Sequence, residues 1–177
     1  SGQPELLQAA GETLRALPFP RYYLDFETYQ FVIPQWVGTR PYAQQTFQWS
    51  CHIEDADRNL SHAYFLADGG GDPRREFAEQ MLETLGDWGP VIVYSAAFER
   101  SRMLELARDF PDLAPALEAV VARIFDLLPL ARTNYYHPEM RGSWSIKAVL
   151  PTIAPDLAYG NLAVADGGMA QDAFGEI

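Results

Sequence analysis

Polar and apolar positions alternate through the first third of the chain in a way that is typical of β-strands. Residues 45–53 place apolar side chains at every second position from Phe47 to Ile53, which predicts a strand with one buried face. Residues 61–67 alternate in the same way across a polar turn, and an apolar run at 21–26 precedes both. The three segments predict an antiparallel meander.

Helical periodicity alternates with short apolar runs in the rest of the chain. Val91–Tyr94 is apolar throughout, as in a strand buried on both faces, and 123–127 is a shorter run of the same kind. Helical spacing predicts helices at 5–16, 73–85, 97–108, 112–121 and 145–150, with Pro151 ending the last of these, and a further helix from about Asp166. Loops are predicted at 29–44, 133–143 and 152–165. This order predicts an α/β fold with a mixed five-stranded sheet, antiparallel and then parallel, and helices on its faces.

Length and composition favour one folded domain. The chain has 177 residues, 48% of them hydrophobic, which is ample for a packed core. We expect a helix and linker at 1–20 and the domain proper at 21–177, as part of a longer protein whose other domains would be its partners. The chain has no apolar run of transmembrane length and no visible secretory signal, so we expect no membrane association.

Charge and cysteine content narrow the functional classes. A net charge of −11 argues against a broad basic surface for duplex nucleic acid, although a metal-dependent nuclease is compatible with it. Cys51 is the only cysteine, which excludes a disulfide framework and a multi-cysteine zinc site. The lack of disulfides predicts a cytoplasmic location.

Two carboxylates stand at the end of the first predicted strand. Asp25 and Glu27 are two residues apart, so they project from one face. Adjacent carboxylates repel each other unless a cation lies between them, so the pair is either a divalent-metal site or an acidic strand end that faces solvent. Glu99 begins the helix after the central strand and is either a third ligand or a first-turn glutamate that interacts with the helix dipole. Asp126 is either a further ligand or a helix N-cap.

These stretches resemble the motifs of the DEDD exonuclease superfamily, the DnaQ-like 3′–5′ exonucleases with a ribonuclease H-like fold. Residues 24–28, Leu-Asp-Phe-Glu-Thr, look like the first motif. Residues 95–99, Ser-Ala-Ala-Phe-Glu, look like the second, which usually reads Asn-x-x-Phe-Asp, so serine and glutamate replace asparagine and aspartate here. Residues 125–132 are similar to the stretch that follows.

A closer resemblance is to a bacterial family known as domain of unknown function 2779. It rests on five stretches: Gly38–Tyr42, Phe47–Ser50, Gly89–Tyr94, Tyr135–Pro138 and Gly142–Lys147. It extends over roughly residues 20–174.

The DEDD resemblance implies two-metal hydrolysis of phosphodiester bonds, with two Mg²⁺ or Mn²⁺ ions. The implied ligands and catalytic residues are Asp25, Glu27, Glu99 and Asp172. The superfamily places a general-base histidine or tyrosine shortly before the last ligand, and those positions are Gly167 and Gly168 here. Further candidates are Asp166 as an alternative ligand, and His137 and Tyr159 as a base from another segment; a packed loop residue is the other interpretation of His137.

The same resemblance implies a single-stranded DNA or RNA end as substrate. Aromatic residues of the loop at 29–44 would stack on bases and arginines would contact phosphates, unless they pack on the core or lie solvated at the surface. The candidates are Tyr29, Arg40, Tyr42, Arg100 and Arg141. The function expected is therefore a metal-dependent 3′–5′ exonuclease-like nuclease, and the alternative is an inactive module of the same fold that binds nucleic acid or a protein.

Overall fold

The computed structural model describes residues 2–156, which form a mixed α/β domain around a five-stranded sheet. Its strands are β1 Glu5–Leu6, β2 Arg21–Gln30, β3 Gln44–Glu54, β4 Leu60–Leu66, β5 Val91–Val93, β6 Ile124–Asp126 and β7 Tyr135–Tyr136. Its α-helices are α1 Gln8–Ala16, α2 Arg74–Leu85, α3 Ala97–Asp109, α4 Ala114–Ala122, α5 Leu127–Asn134 and α6 Ile146–Ile153. A short 3-10 helix spans Pro138–Met140.

The main sheet has the strand order β4-β3-β2-β5-β6. Strands β2, β3 and β4 pair antiparallel, whereas β5 pairs parallel with both β2 and β6. The predicted meander followed by parallel strands is therefore confirmed. Because β2, β5 and β6 run the same way, their carboxyl ends lie at one edge of the sheet, which is where ligands bind in many α/β folds.

One face of the sheet and helices α2, α3 and α4 form the core. Phe77 on α2 lies at the centre, since its ring packs edge-on against both Phe26 of β2 and Phe65 of β4. The alternation predicted for β3 is confirmed, because Phe47, Trp49 and Cys51 are all buried. The opposite face of β2 and β3 carries polar side chains, among them those of Asp25 and Glu27.

The structure corrects the prediction at three elements: β2, α5 and α6. Strand β2 continues to Gln30, beyond the predicted end at 26, because it stays paired with β3 along its whole length. Helix α5 occupies residues expected to be an apolar run and a loop. Its Pro129 lies in the first turn, where a proline costs no helical hydrogen bond. Helix α6 continues through Pro151 to Ile153. The proline removes one backbone N–H donor, and it does so only in the last turn of the helix.

A second, two-stranded sheet was not predicted. The two residues of β1 pair antiparallel with those of β7, and the Leu7 N–H donates to the Asn134 carbonyl at 2.8 Å. A two-residue strand is too short to show a periodic pattern. Within residues 2–156, no helix is both long and apolar enough to cross a bilayer. The predicted last helix, with Asp166 and Asp172, lies outside the described residues, and so does Tyr159 of the loop predicted before it.

Candidate functional site

Strand β2 places Asp25 and Glu27 on the same face of the sheet, as their spacing predicts. In the register with β3 they lie opposite Ser50 and Gln48. The pairing shifts by one residue directly after Glu27, so the carboxylates precede an irregularity of the sheet. Asp25 keeps solvent contact, yet desolvation by the surrounding protein raises its pKa, and a backbone hydrogen bond at Phe26 only partly opposes this rise.

Glu99 lies in the first turn of α3 and is only 4% exposed. Its Oε2 atom is buried and has no hydrogen-bond partner among the described residues. Burial, and to a lesser extent the negative charges of Asp25 and Asp126, raise the pKa of Glu99 to about 7 against an opposing backbone hydrogen bond. A buried, unsatisfied carboxylate close to other acids is costly, and a bound cation or proton would relieve that cost.

Asp126 stands at the end of β6, where it organises two helix starts. Its carboxylate accepts hydrogen bonds from the backbone N–H groups of Ser95 at 2.8 Å, Ala96 at 2.9 Å and Leu128 at 2.9 Å. The residue is the N-cap of α5, in agreement with the capping interpretation of its sequence position. Because both carboxylate oxygens already accept backbone donors, Asp126 is primarily a positioning residue.

The chemistry of these side chains fits a hard divalent cation. Carboxylate oxygens are the ligands preferred by Mg²⁺ and Mn²⁺, and the Oε2 atom of Glu99 accepts no hydrogen bond from residues 2–156. Across residues 2–156, however, no three His, Cys, Asp or Glu side chains form a group that could hold a metal ion. Asp172, the expected fourth ligand, lies outside the described residues, as does Asp166.

Polar side chains of β3 and β4 continue the sheet face that carries Asp25. Ser50, which lies opposite Asp25 on β3, shares a hydrogen bond of 2.9 Å with Nε2 of His62 on β4. The His62 ring stacks on that of His52 at a centroid distance of 4.4 Å. Two imidazole rings therefore lie on the same sheet face as the carboxylates.

The remaining predicted contact residues are dispersed. His137 caps the 3-10 helix, because its Nδ1 atom accepts from the backbone N–H of Glu139 at 3.3 Å, so it has a structural role there. Arg141 follows that helix with a φ of +49°, and Arg100 is exposed on α3. The Tyr29 ring packs on Phe31 at 4.4 Å and is partly buried. The other two predicted residues, Arg40 and Tyr42, line one open cleft.

A family model described as a domain of unknown function (DUF2779) matches residues 22–145. This chain belongs to the DUF2779 family. The segment matched within the DUF2779 domain contains Asp25, Glu27, Glu99 and Asp126, and it ends before Asp166 and Asp172.

The DUF2779 chain is also similar to a curated relative, the uncharacterized protein UU173 of Ureaplasma parvum serovar 3 (strain ATCC 700970). The two are 26% identical over 196 residues, covering 97% of this chain and 28% of the relative. The DUF2779 chain thus spans little more than a quarter of that protein's length. No solved structure matches it.

Sequence reasoning missed the residues that line the cleft together with Arg40 and Tyr42. Thr46, Arg102 and Arg108 line it, on β3 and α3. A signal for Arg102 was present in the sequence, because it follows Glu99 by three residues and therefore lies on the same side of the helix. Nothing in the sequence indicated that Thr46 lines the cleft, because the position of Thr46 depends on the length of β2 and on the register between β2 and β3.

Proposed function

We propose that this DUF2779 domain is a metal-dependent nuclease of the 3′–5′ exonuclease type with a ribonuclease H-like fold. The observation that carries the proposal is the grouping of acidic residues at the carboxyl edge of β2, β5 and β6. There, the buried Glu99 carboxylate has one oxygen without a partner in the described part of the chain, and it feels the charges of Asp25 and Asp126. Such a grouping is unfavourable in a protein without a cation, and perturbed carboxylates at the edge of a parallel sheet are typical of functional sites.

Under this proposal, Asp25, Glu27, Glu99 and Asp172 hold two Mg²⁺ or Mn²⁺ ions. When bound, such ions lower the pKa of an attacking water and stabilise the leaving oxygen of a phosphodiester. Asp126 fixes the turn that presents Glu99, because it binds the N–H groups of Ser95 and Ala96. The substrate is a single-stranded DNA or RNA end, the location is the cytoplasm, and the other domains of a longer protein are the partners.

A labelled single strand tests the activity. The protein is incubated with 5′-labelled single-stranded DNA and RNA in Mn²⁺, in Mg²⁺ and in EDTA, and the products are separated by length. The proposal predicts a metal-dependent ladder of shortened 5′-labelled products, which Asp25→Asn and Glu99→Gln abolish. The matched control, Asp57→Asn, removes one carboxylate in the hairpin turn between β3 and β4 and should leave the ladder unchanged. Intact strands under every metal condition would contradict the proposal.

A second candidate is a catalytically inactive module of the same fold that binds nucleic acid or a protein partner. It is favoured by the finding that the described residues form no three-ligand group, and by Gly167 and Gly168 at the positions expected for a base. This candidate predicts binding of the single strand without cleavage, and it predicts that Asp25→Asn leaves the binding unchanged.

A further inference from the structure

An open cleft of about 820 Å³ lies between the segment that joins β2 to β3 and the middle of α3. This volume is in the range of ligand pockets in proteins. The cleft begins one helical turn beyond Glu99, since Arg102 is three residues further along α3. Four arginines and two acids line it: Arg40, Arg74, Arg102, Arg108, Glu105 and Asp109.

The arginines of the cleft leave positive charge unpaired. Arg74 is buried and binds two acids, Asp72 and Asp109, so these three side chains together carry a net charge of −1. Glu105 binds Arg102 at 2.9 Å and lies 3.8 Å from Arg108.

Arg40 is exposed and forms no ion pair within residues 2–156. Arg108 is also largely exposed, and Glu105, the one acid that it approaches within the described residues, also binds Arg102. Together, the four arginines exceed the three acids around them by one charge, and in a chain of net charge −11 this local positive excess favours an anionic ligand.

The wall of the cleft also contains buried donors without acceptors. The Nη atoms of Arg102 donate to the Gln44 carbonyl and to Glu105, but its Nε is buried and has no partner among the described residues. The Thr46 hydroxyl is in the same situation, and that residue is only 3% exposed. An unsatisfied buried donor costs free energy, so both atoms indicate an acceptor that residues 2–156 do not provide.

An aromatic ring stands beside this basic surface. Tyr42 is 65% exposed and has a left-handed backbone with a φ of +59°, which is unusual for a bulky residue. Its N–H donates to the Phe31 carbonyl at 2.8 Å, which holds the strained conformation in place. Strain of this kind is often found where a side chain is held for a ligand. An exposed tyrosine next to arginines matches a nucleotide, which combines a flat base with a phosphate.

We propose that this cleft binds a nucleotide, with its phosphate near Arg40, Arg102 and Arg108 and its base against Tyr42. The inference rests on the proposed function in one respect, because it takes the nucleotide to be a unit of the substrate strand that leads away from Glu99. A free nucleoside monophosphate offers the same chemistry, and the experiment distinguishes the two sources.

Binding is measured without turnover, in EDTA and at low ionic strength, by fluorescence anisotropy of a labelled short oligothymidylate. Arg40→Ala and Arg108→Ala should each weaken binding by roughly three- to tenfold. Each should also reduce the slope of log affinity against log salt by about 0.7, the value for one phosphate contact on a single strand. Tyr42→Asn removes the ring but suits the left-handed backbone, and it should weaken binding without changing that slope.

Arg15→Ala is the matched control, since it removes one exposed arginine on α1 and changes the net charge equally. Competition by thymidine monophosphate at concentrations comparable to those of the oligothymidylate would identify the free nucleotide as the ligand, and competition only by strands would identify the strand. No binding by the wild-type protein, or equal binding by the cleft variants and Arg15→Ala, would overturn the proposal. Binding that depends on Arg40 without metal-dependent cleavage would support the cleft and refute the nuclease. Metal-dependent cleavage without Arg40-dependent binding would support the nuclease and refute the cleft.

Discussion

Asp126 Oδ1 accepts a hydrogen bond of 2.8 Å from the backbone N–H of Ser95, and this contact ties the end of β6 to the turn that begins α3. The same carboxylate binds the N–H groups of Ala96 and Leu128. The position of Glu99 on α3 therefore depends on a residue two strands away from Asp25 in the sheet order.

Replacement of Asp126 should destabilise the fold. Asp126→Ala leaves three backbone donors without their acceptor, and we expect the free energy of unfolding to fall by about 2–4 kcal/mol. Asp126→Asn keeps one acceptor oxygen, so its free energy of unfolding should fall by about half as much. Urea unfolding of both variants measures the difference. A change below about 0.5 kcal/mol in Asp126→Ala would show that the carboxylate does not support this turn.

Ser95 has a φ of +70°, a conformation that asparagine and glycine tolerate better than other residues. This offers a physical reason for the asparagine that is usual at this position in the motif that the sequence resembles. Ser95→Asn should therefore raise the stability by roughly 0.5 kcal/mol, and Ser95→Val should lower it by about 1–2 kcal/mol. Thermal unfolding of the pair checks the order, and a less stable asparagine variant would contradict it.

The buried Glu99 should make stability depend on pH. Because its pKa is raised to about 7, the folded protein binds this proton more tightly than the unfolded chain. The resulting stabilisation is complete below the unfolded pKa of 4.5 and is lost as the pH rises through about 7, a change on the order of 3 kcal/mol. The free energy of unfolding is measured across this pH range for the wild type and for Glu99→Gln. The variant should show a weaker dependence on pH and should be more stable than the wild type at the alkaline end. Parallel curves would rule out this origin of the pH dependence.

Gly89 holds β5 next to the start of β2. A Cβ at this position would lie 2.2 Å from the Pro20 carbonyl oxygen, and its φ is +96°. Gly89→Ala should cost about 2–4 kcal/mol, whereas Gly86→Ala, with a φ of +49° and nothing within 4 Å, should cost about 1 kcal/mol. Equal losses in the two variants would show that backbone strain alone, without the clash, governs the position.

The sequence predicted those parts of the fold that depend on periodicity. The alternation in β3 and the apolar run of β5 each reflect burial of a strand, so both strands were predictable from the sequence. Helix α5 and the β1–β7 pair were missed because tertiary contacts, rather than local pattern, determine them.

For the site, the two-residue spacing of Asp25 and Glu27 was enough to place them on one face. The burial of Glu99 and the cleft around Arg102 were not predictable, because they depend on how α3 packs against the sheet. Asp126 was assigned two alternative roles, and only its hydrogen bonds distinguish them.

We propose that the carboxylates around Glu99 hold divalent cations. Isothermal titration of Mn²⁺ into the wild-type protein, above the pKa of Glu99, measures this binding. We expect saturable binding of two ions, which is lost or strongly weakened in Asp25→Asn, Glu27→Gln and Glu99→Gln and unchanged in Asp57→Asn. No saturable binding by the wild-type protein, or equal binding by all four variants, would contradict it.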